Sequence, residues 1–266
     1  MKIGIIGTGA MGRWFARRLM AEHQVLAFDR EKERIGLLPK VIRASALTDF
    51  VPFQPEILIN AVSIRHTEDA FRQVLPFLTQ NCILADIASI KGALPQFYRN
   101  GDHPYVSIHP MFGPRTCGRR RGCRENMIII SESDQTGKGF FHRFSTRNGF
   151  EVWEYSFADH DEMMAYSLTL PFAATIAFAA CINGTEVPGT TFSRHMGIAR
   201  RLLTEDEQLL SEILFNPHSV GRLEKICMNM EFLKHVIRAR DQEEIHRVLS
   251  RLQKNIGVQL YHEREN

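Results

Sequence analysis

Apolar residues follow two rhythms along this chain of 266 residues. Up to about residue 155, short and nearly continuous apolar runs alternate with longer stretches of helical spacing. The runs at 2–6, 24–28, 56–62, 82–86, 105–108, 127–130 and 151–155 read as strands. Helices are predicted directly after the first run and over 67–78, 91–98 and 136–146. Strands that are apolar throughout, rather than at every second position, are buried on both faces. The pattern therefore predicts a doubly wound α/β domain over 1–154, its parallel sheet covered by helices on both sides. From residue 158 only helical spacing remains. The segment 158–182 is small and apolar all round, which suits a helix buried in a bundle or a subunit interface. Amphipathic helices follow over 190–203, 205–215, 218–240 and 241–255, parted by Gly, Pro and polar turns. Residues 155–266 are thus expected to form an all-helical second domain, with a substrate cleft where the two domains meet.

Composition narrows the function by exclusion. A net charge of +3 is too small to imply nucleic-acid binding, and 44% hydrophobic residues is ordinary for a soluble globular protein. The longest apolar run, 168–182, is broken by Pro171 and is too short to span a bilayer. No leader peptide is expected, because the first twelve residues already read as a strand and a glycine loop. A cytoplasmic protein with neither a membrane nor a nucleic-acid partner is the expectation. Five scattered cysteines fit a reducing compartment, and their spacing matches no zinc pattern, so no metal is expected. Cys117 and Cys123 flank a loop, residues 115–124, that holds five arginines; they are read as free thiols, although their placement would allow a bridge. The loop itself has two readings, a basic lip that attracts a dianionic substrate or a solvated turn. As a nucleic-acid site it lacks interleaved aromatics.

The first strand runs straight into Gly7-Thr8-Gly9-Ala10-Met11-Gly12, followed by a helical pattern with Trp14, Phe15 and Leu19. Strand before and helix after are the context that makes a Gly-x-Gly-x-x-Gly pattern specific for a dinucleotide. Gly7 permits the tight turn, Gly9 admits a pyrophosphate to the backbone, and Gly12 lets the helix pack close to the strand. The helix N-terminus then offers free N–H groups and a positive dipole end to the phosphates. The second strand ends at Asp29, whose carboxylate would accept hydrogen bonds from ribose hydroxyls and repel a 2′-phosphate. The cofactor read from this is NAD; Arg30 and Lys32 beside Asp29 would soften the preference. Gly7, Gly9, Ala10, Met11, Gly12, Asp29 and Ser63 are the candidate cofactor contacts.

Two further segments follow strands: Asp86-Ile87-Ala88-Ser89-Ile90-Lys91, and His109-Pro110-Met111-Phe112-Gly113-Pro114. The carboxyl ends of such strands line the ligand crevice of doubly wound folds. His-Pro-Met-Phe-Gly-Pro after a strand, with Asp-x-x-Ser-x-Lys about twenty residues earlier, resembles the prephenate dehydrogenases of tyrosine biosynthesis. Asp159-His160-Asp161, Leu170-Pro171 and the segment 189–200 follow in the same order as in that family, so the resemblance covers nearly the whole chain. It implies oxidative decarboxylation of prephenate to 4-hydroxyphenylpyruvate with NAD. His109 would take the hydrogen bond and then the proton of the ring hydroxyl, a task suited to a neutral imidazole. Ser89 would bind the same hydroxyl or orient His109. An arginine of the helical half would clamp the side-chain carboxylate, with Arg200 favoured, Arg194 second and Arg201 also possible by position.

The chain departs from the family pattern at Leu168 and Thr169, where many members carry Ser-His, so a second active-site histidine is absent or replaced. His160, between two aspartates at a helix start, reads as structural, with catalysis as its alternative. Arogenate is an alternative substrate. A β-hydroxyacid dehydrogenase or imine reductase is disfavoured, because no lysine lies between Lys138 and Lys225. A non-catalytic NAD(H) sensor would not need the Ser89/His109 pair. The all-round apolar segment 172–182 leads to the expectation of a homodimer through the helical half.

Overall fold

The computed structural model describes residues 1–114, 125–184 and 189–257. Strands and helices alternate as β1 (Lys2–Ile6), α1 (Ala10–Leu19), β2 (Gln24–Phe28), β3 (Ile42–Arg43), α2 (Phe50–Phe53), β4 (Ile57–Asn60) and α3 (Thr67–Val74). They continue as β5 (Ile83–Asp86), α4 (Leu94–Arg99), β6 (Tyr105–Pro110), β7 (Asn126–Ile130), α5 (Gln135–Asn148) and β8 (Glu151–Tyr155). The strands form one eight-stranded sheet in the order β3-β2-β1-β4-β5-β6-β7-β8. The order reverses at β1, so β1 and β4 flank the topological switch point, where ligands of such sheets bind.

The expected layering is present. Alternate strand residues feed two apolar clusters. Ile3, Ile5, Val25, Ile57, Ile59, Val106 and Ile108 pack with Trp14 and Phe15 of α1 and with Phe141 and Phe144 of α5. On the other face Ile6, Leu26, Leu58 and Leu84 pack with Phe50, Phe71, Val74, Leu94 and Tyr98. The sheet is not parallel throughout, which corrects the expectation. β6 pairs antiparallel to β7, and β8 runs parallel to β7, so the last two strands are reversed relative to the other six. A parallel pair needs a crossover of a dozen or more residues, usually helical, whereas an antiparallel pair needs only a loop. The segment between β6 and β7 is rich in arginine and glycine and has no apolar stripe to lay on the sheet.

Two helices are shorter than their spacing suggests. α3 ends at Val74 and gives way to a 3-10 turn over Leu75–Phe77, because Pro76 has no N–H to donate. α4 begins at Leu94 rather than at 91, because Gly92 has φ +44, a left-handed backbone that a right-handed helix cannot include; the Asp161 carboxylate holds the Lys91 and Gly92 N–H groups beside it (2.9 Å each).

Beyond β8 every regular element among the described residues is helical: α6 (Phe157–Met164), a π turn (Ala165–Thr169), α7 (Leu170–Ala180), α8 (Thr190–Leu202), α9 (Glu207–Leu214), α10 (Ser219–Ala239) and α11 (Gln242–Asn255). Pro171 does not interrupt the first of these. The π turn lies just before it, where the missing N–H removes a helical bond in any case. α6, the π turn and α7 therefore form one helix of 24 residues, long and apolar enough by length and composition to cross a membrane. Its first turns are nevertheless tied to the sheet domain through Asp161 and the buried Met164, which packs with Ile90 and Ile128. The chain separates into two compact units, Met1–Ser219 and a second that begins at Val220. In the second unit α11 is capped by Asp241, which accepts from Glu244 N at 2.9 Å. α10 leaves Met228, Met230 and Ile237 exposed.

Candidate active site

The glycine loop borders a crevice of about 600 Å³ at the switch point, lined by Gly7, Gly9, Ala10, Asp29, Ser63 and others. Gly7 has φ +85, and a Cβ there would lie 2.8 Å from Ala61 C. Both the turn and the neighbouring strand therefore demand glycine. A Cβ on Gly12 would sit 1.9 Å from the Gly7 carbonyl oxygen, so α1 approaches β1 as closely as a backbone can. A Cβ on Gly9 would meet no atom within 4 Å. Among the described residues no contact requires glycine at position 9, while its open face lines the crevice. The residues present thus fit a dinucleotide, whose diphosphate would lie against Gly9 at the start of α1.

Asp29 is buried at the end of β2. Its Oδ2 accepts from Thr8 N (2.5 Å) and Thr8 Oγ1 (2.8 Å), and its Oδ1 accepts from Glu31 N (2.9 Å). Three of roughly four lone-pair directions are therefore used to brace the glycine loop and the following turn. Asn60 shapes the turn that carries Ser63, accepting from Val62 N (3.3 Å) and donating to Thr67 O (2.8 Å). Met11 lies in the first turn of α1 with its side chain packed against the core, and Gly12 is buried beneath the loop. Sequence reasoning missed Arg34, His66, Gln73, Asp206 and Gln208 on the crevice walls. The last two come from the start of α9, some 200 residues from the glycine loop, and no local signal marks them.

The second cluster grows from β6. His109 is 4% exposed, and its Nδ1 lies 3.1 Å from His160 Nε2. His160 is fully buried, and its Nδ1 lies 2.8 Å from Asp161 Oδ1. Asp161 also accepts from the Lys91 and Gly92 N–H groups, and its carbonyl accepts from Asn216 Nδ2 at 2.7 Å. Beside this line lies a buried ion pair. Lys91 Nζ donates to Asp86 Oδ1 (2.8 Å) and Ile108 O (2.7 Å), and Tyr98 OH donates to Asp86 Oδ2 (2.8 Å).

Burial, the His160 ring and the Lys91 charge hold His109 well below the ordinary histidine range, so it is neutral near pH 7. Burial also lowers His160, with the Asp161 hydrogen bond working in the opposite direction. Burial pushes the Asp161 carboxyl up, but the hydrogen bonds from His160, Lys91 and Gly92 outweigh it and hold the group below its usual value. His109 Nε2 makes no hydrogen bond among the described residues. The arrangement can accept one proton at that atom.

His160 thus stands in contact with His109, where the sequence pattern favoured a purely structural role. Thr169 is not at the cluster: it is buried and bonds Ile213 O (3.1 Å) and Ser219 Oγ (3.0 Å). Ser89 is half-buried between Ala88 and Ile90 and makes no hydrogen bond to His109 among the described residues. Arg194, Arg200 and Arg201 lie on α8, all exposed and without an ion pair among the described residues. Cys117, Cys123 and the arginine loop fall outside the described residues; Cys82, Cys181 and Cys227 are free thiols. Among the described residues no cluster of His, Cys, Asp and Glu could hold a metal ion.

Residues 17–139 match the family described as prephenate dehydrogenase, nucleotide-binding domain. A probable arogenate/prephenate dehydrogenase of Methanocaldococcus jannaschii is 24% identical over 278 residues, covering 97% of this chain and 61% of that protein. The T-protein of Enterobacter agglomerans is 25% identical over 226 residues, covering 80% of this chain and 56% of that protein. The chain thus spans about six-tenths of the length of these curated relatives. In fold it resembles prephenate dehydrogenase from A. aeolicus, solved in complex with hydroxyphenyl propionate and NAD+ (TM-score 0.81, 19% identity, 97% of this chain and 98% of that one). It also resembles Synechocystis arogenate dehydrogenase (TM-score 0.74, 17% identity, 97% and 99%).

Proposed function

We propose, from the match of residues 17–139 to the nucleotide-binding domain of prephenate dehydrogenases, that the chain oxidises and decarboxylates prephenate to 4-hydroxyphenylpyruvate with NAD. The observation that carries this reading is His109. It is a buried neutral imidazole at the carboxyl end of a strand, with its Nδ1 engaged by His160 and its Nε2 left to accept. Gly7, Gly9, Ala10, Met11, Gly12, Asp29 and Ser63 would hold the dinucleotide, which supplies the hydride acceptor. His109 Nε2 accepts the hydrogen bond of the substrate's ring hydroxyl and draws off its proton as hydride leaves the same carbon. Loss of the ring carboxylate as carbon dioxide sends its electron pair into the ring, which becomes aromatic. The oxygen, now phenolate, takes the proton back, so His109 borrows one proton and returns it. Ser89 would bind the same hydroxyl, and Arg200, or Arg194 on the same helix, would pair with the pyruvyl carboxylate as a bidentate fork.

Two further elements belong to this reading. Substrate binding and assembly are assigned to the helical half after residue 154. Assembly is a homodimer, because α7 is apolar all round and none of its residues is buried within the chain. The discriminating experiment is NADH or NADPH formation measured with prephenate and with arogenate, each with NAD and NADP. Turnover highest with prephenate and NAD supports the proposal. Turnover with arogenate alone moves the substrate assignment, and turnover with neither overturns it.

A further inference from the structure

We propose that His160 and Asp161 form a proton relay with His109, in which the charge created when His109 takes a proton passes to His160 and is neutralised there by Asp161. This rests on the reading of His109 as the base, but it concerns different atoms and is tested separately.

The hydrogen-bond directions follow from elementary chemistry. An ionised carboxylate can only accept, so His160 Nδ1, 2.8 Å from Asp161 Oδ1, carries a hydrogen. A neutral His160 then has a bare Nε2. That atom lies 3.1 Å from His109 Nδ1, so His109 Nδ1 must donate. The neutral His109 ring has a single N–H, and it is spent on His160. Its Nε2 is therefore a bare lone pair. The relay fixes the tautomer that a base requires.

The same line carries a proton in balance. When the substrate hydroxyl gives its proton to His109 Nε2, the O–H bond breaks and an N–H bond forms. The His109 Nδ1 proton then crosses to His160 Nε2, leaving His109 neutral and His160 as imidazolium against Asp161. When the phenolate oxygen recovers its proton from His109 Nε2, the Nδ1 proton returns. No oxidant or further reactant is involved in these transfers.

The surrounding charges favour His160 as the resting place. Three charged groups bear on the pair, Asp86, Lys91 and Asp161, besides the effect of the His160 ring on His109. Lys91 is already matched by Asp86 at 2.8 Å, with both side chains buried. Among the described residues Asp161 accepts only from backbone N–H groups and His160, so its negative charge is unmatched there until His160 is protonated. A cation left on His109 would have no carboxylate in hydrogen-bond contact among the described residues. Burial strengthens the distinction, since charge in a low-dielectric interior is tolerable only when paired. The end of the relay is also rigid. Lys91 N, Gly92 N and Asn216 Nδ2 hold Asp161 from two sides, so His160 has one orientation available.

The test is ¹⁵N NMR of the histidine-labelled protein without substrate, with signals assigned through His109→Gln and His160→Gln. At neutral pH both rings should show a protonated Nδ1 and a bare Nε2, and on acidification His160 should take its proton before His109. In Asp161→Asn that order should be lost. In turnover, His160→Gln keeps an acceptor for His109 Nδ1 but cannot hold the charge, so kcat should fall by at least about tenfold with KM for prephenate unchanged. A protonated Nε2 on His109, or protonation of His109 before His160, overturns the relay. If a variant fails to fold, the tautomers and the order of protonation in the wild type still decide. An active His109→Asn enzyme would overturn the base itself, whereas an inactive one with the wrong protonation order overturns only the relay.

Discussion

Gly12 lies so close to Gly7 that a Cβ built on it would stand 1.9 Å from the Gly7 carbonyl oxygen, whereas Gly9, between them in the same motif, faces open space. The three glycines therefore fail differently when replaced. Gly12→Ala must push α1 from β1 and should destabilise the fold, lowering the urea midpoint and abolishing cofactor binding together. Gly9→Ala should fold with a nearly unchanged midpoint and bind NAD at least about tenfold more weakly, because the methyl group stands where the diphosphate approaches. Urea titration and NAD binding followed by calorimetry on both variants check this. A Gly9→Ala protein that binds NAD normally would mean that the diphosphate lies elsewhere.

The pH dependence of turnover is set by a histidine that is hard to protonate. Burial, His160 and Lys91 all depress His109, so the base stays competent as pH falls past the ordinary histidine value of about 6.5. The acid limb of kcat should lie below that value, with a level rate from there to pH 8. His109→Asn should bind prephenate and lose about 10²–10⁴ in kcat. Profiles of kcat against pH for both proteins measure it, and a wild-type limb above 6.5 would contradict the burial of the base. Stability should respond in the same direction. His109 and His160 have folded pKa values below their unfolded ones, so the unfolded chain binds more protons as pH falls below about 6.5. Their contribution is complete above that pH and is lost progressively below it.

The sheet was legible because its central strands are nearly continuous apolar runs, and the glycine loop because Gly7, Gly9 and Gly12 follow such a run and open a helix. The reversal of β7 and β8 was not legible, since strand direction depends on the connection and not on the strand's own residues. Within the site, His109 was marked by the six-residue motif around it. His160 was visible only as a histidine between two aspartates at a helix start, a pattern that also fits a surface cap. Its partner lies 51 residues earlier in the chain, and only the docking of α6 against β6 brings the rings together. Lys91 read as the start of a helix, because sequence spacing does not reveal the left-handed backbone at Gly92.

The Lys91–Asp86 pair should dominate the response to mutation on that side of the sheet. The Lys91 side chain is 1% exposed and that of Asp86 0%, so a partner stranded by mutation lies out of contact with bulk solvent. Lys91→Met preserves length and volume but takes the cation from Asp86, leaving it Tyr98 OH and Ala88 N as donors among the described residues. Breaking a buried pair from one side costs about 3–5 kcal/mol, which urea denaturation would resolve easily. The double variant Lys91→Met/Asp86→Leu should recover part of the loss, because it removes the stranded charge. If Lys91→Met alone is as stable as the wild type, the pair contributes no net stabilisation.

α7 carries the last prediction. Its exposed positions Pro171, Ala174 and Ala177 recur at three-residue spacing, so small side chains line one exposed face of an otherwise apolar helix. Only 17% of the most apolar window of the continuous helix Phe157–Ala180 is buried within the chain. A soluble monomer rarely leaves so large an apolar surface uncovered. A second copy would cover it, and small residues would let two such helices approach closely enough to bury an apolar interface of obligate size. Light scattering at micromolar concentration in detergent-free buffer should report twice the chain mass of 30.5 kDa. Ala177→Arg, which sets a guanidinium in the middle of the face, should shift the population to monomer while leaving the glycine crevice able to bind NAD. A wild-type mass of one chain refutes the dimer. A protein that stays in solution only with detergent would assign the same face to lipid instead.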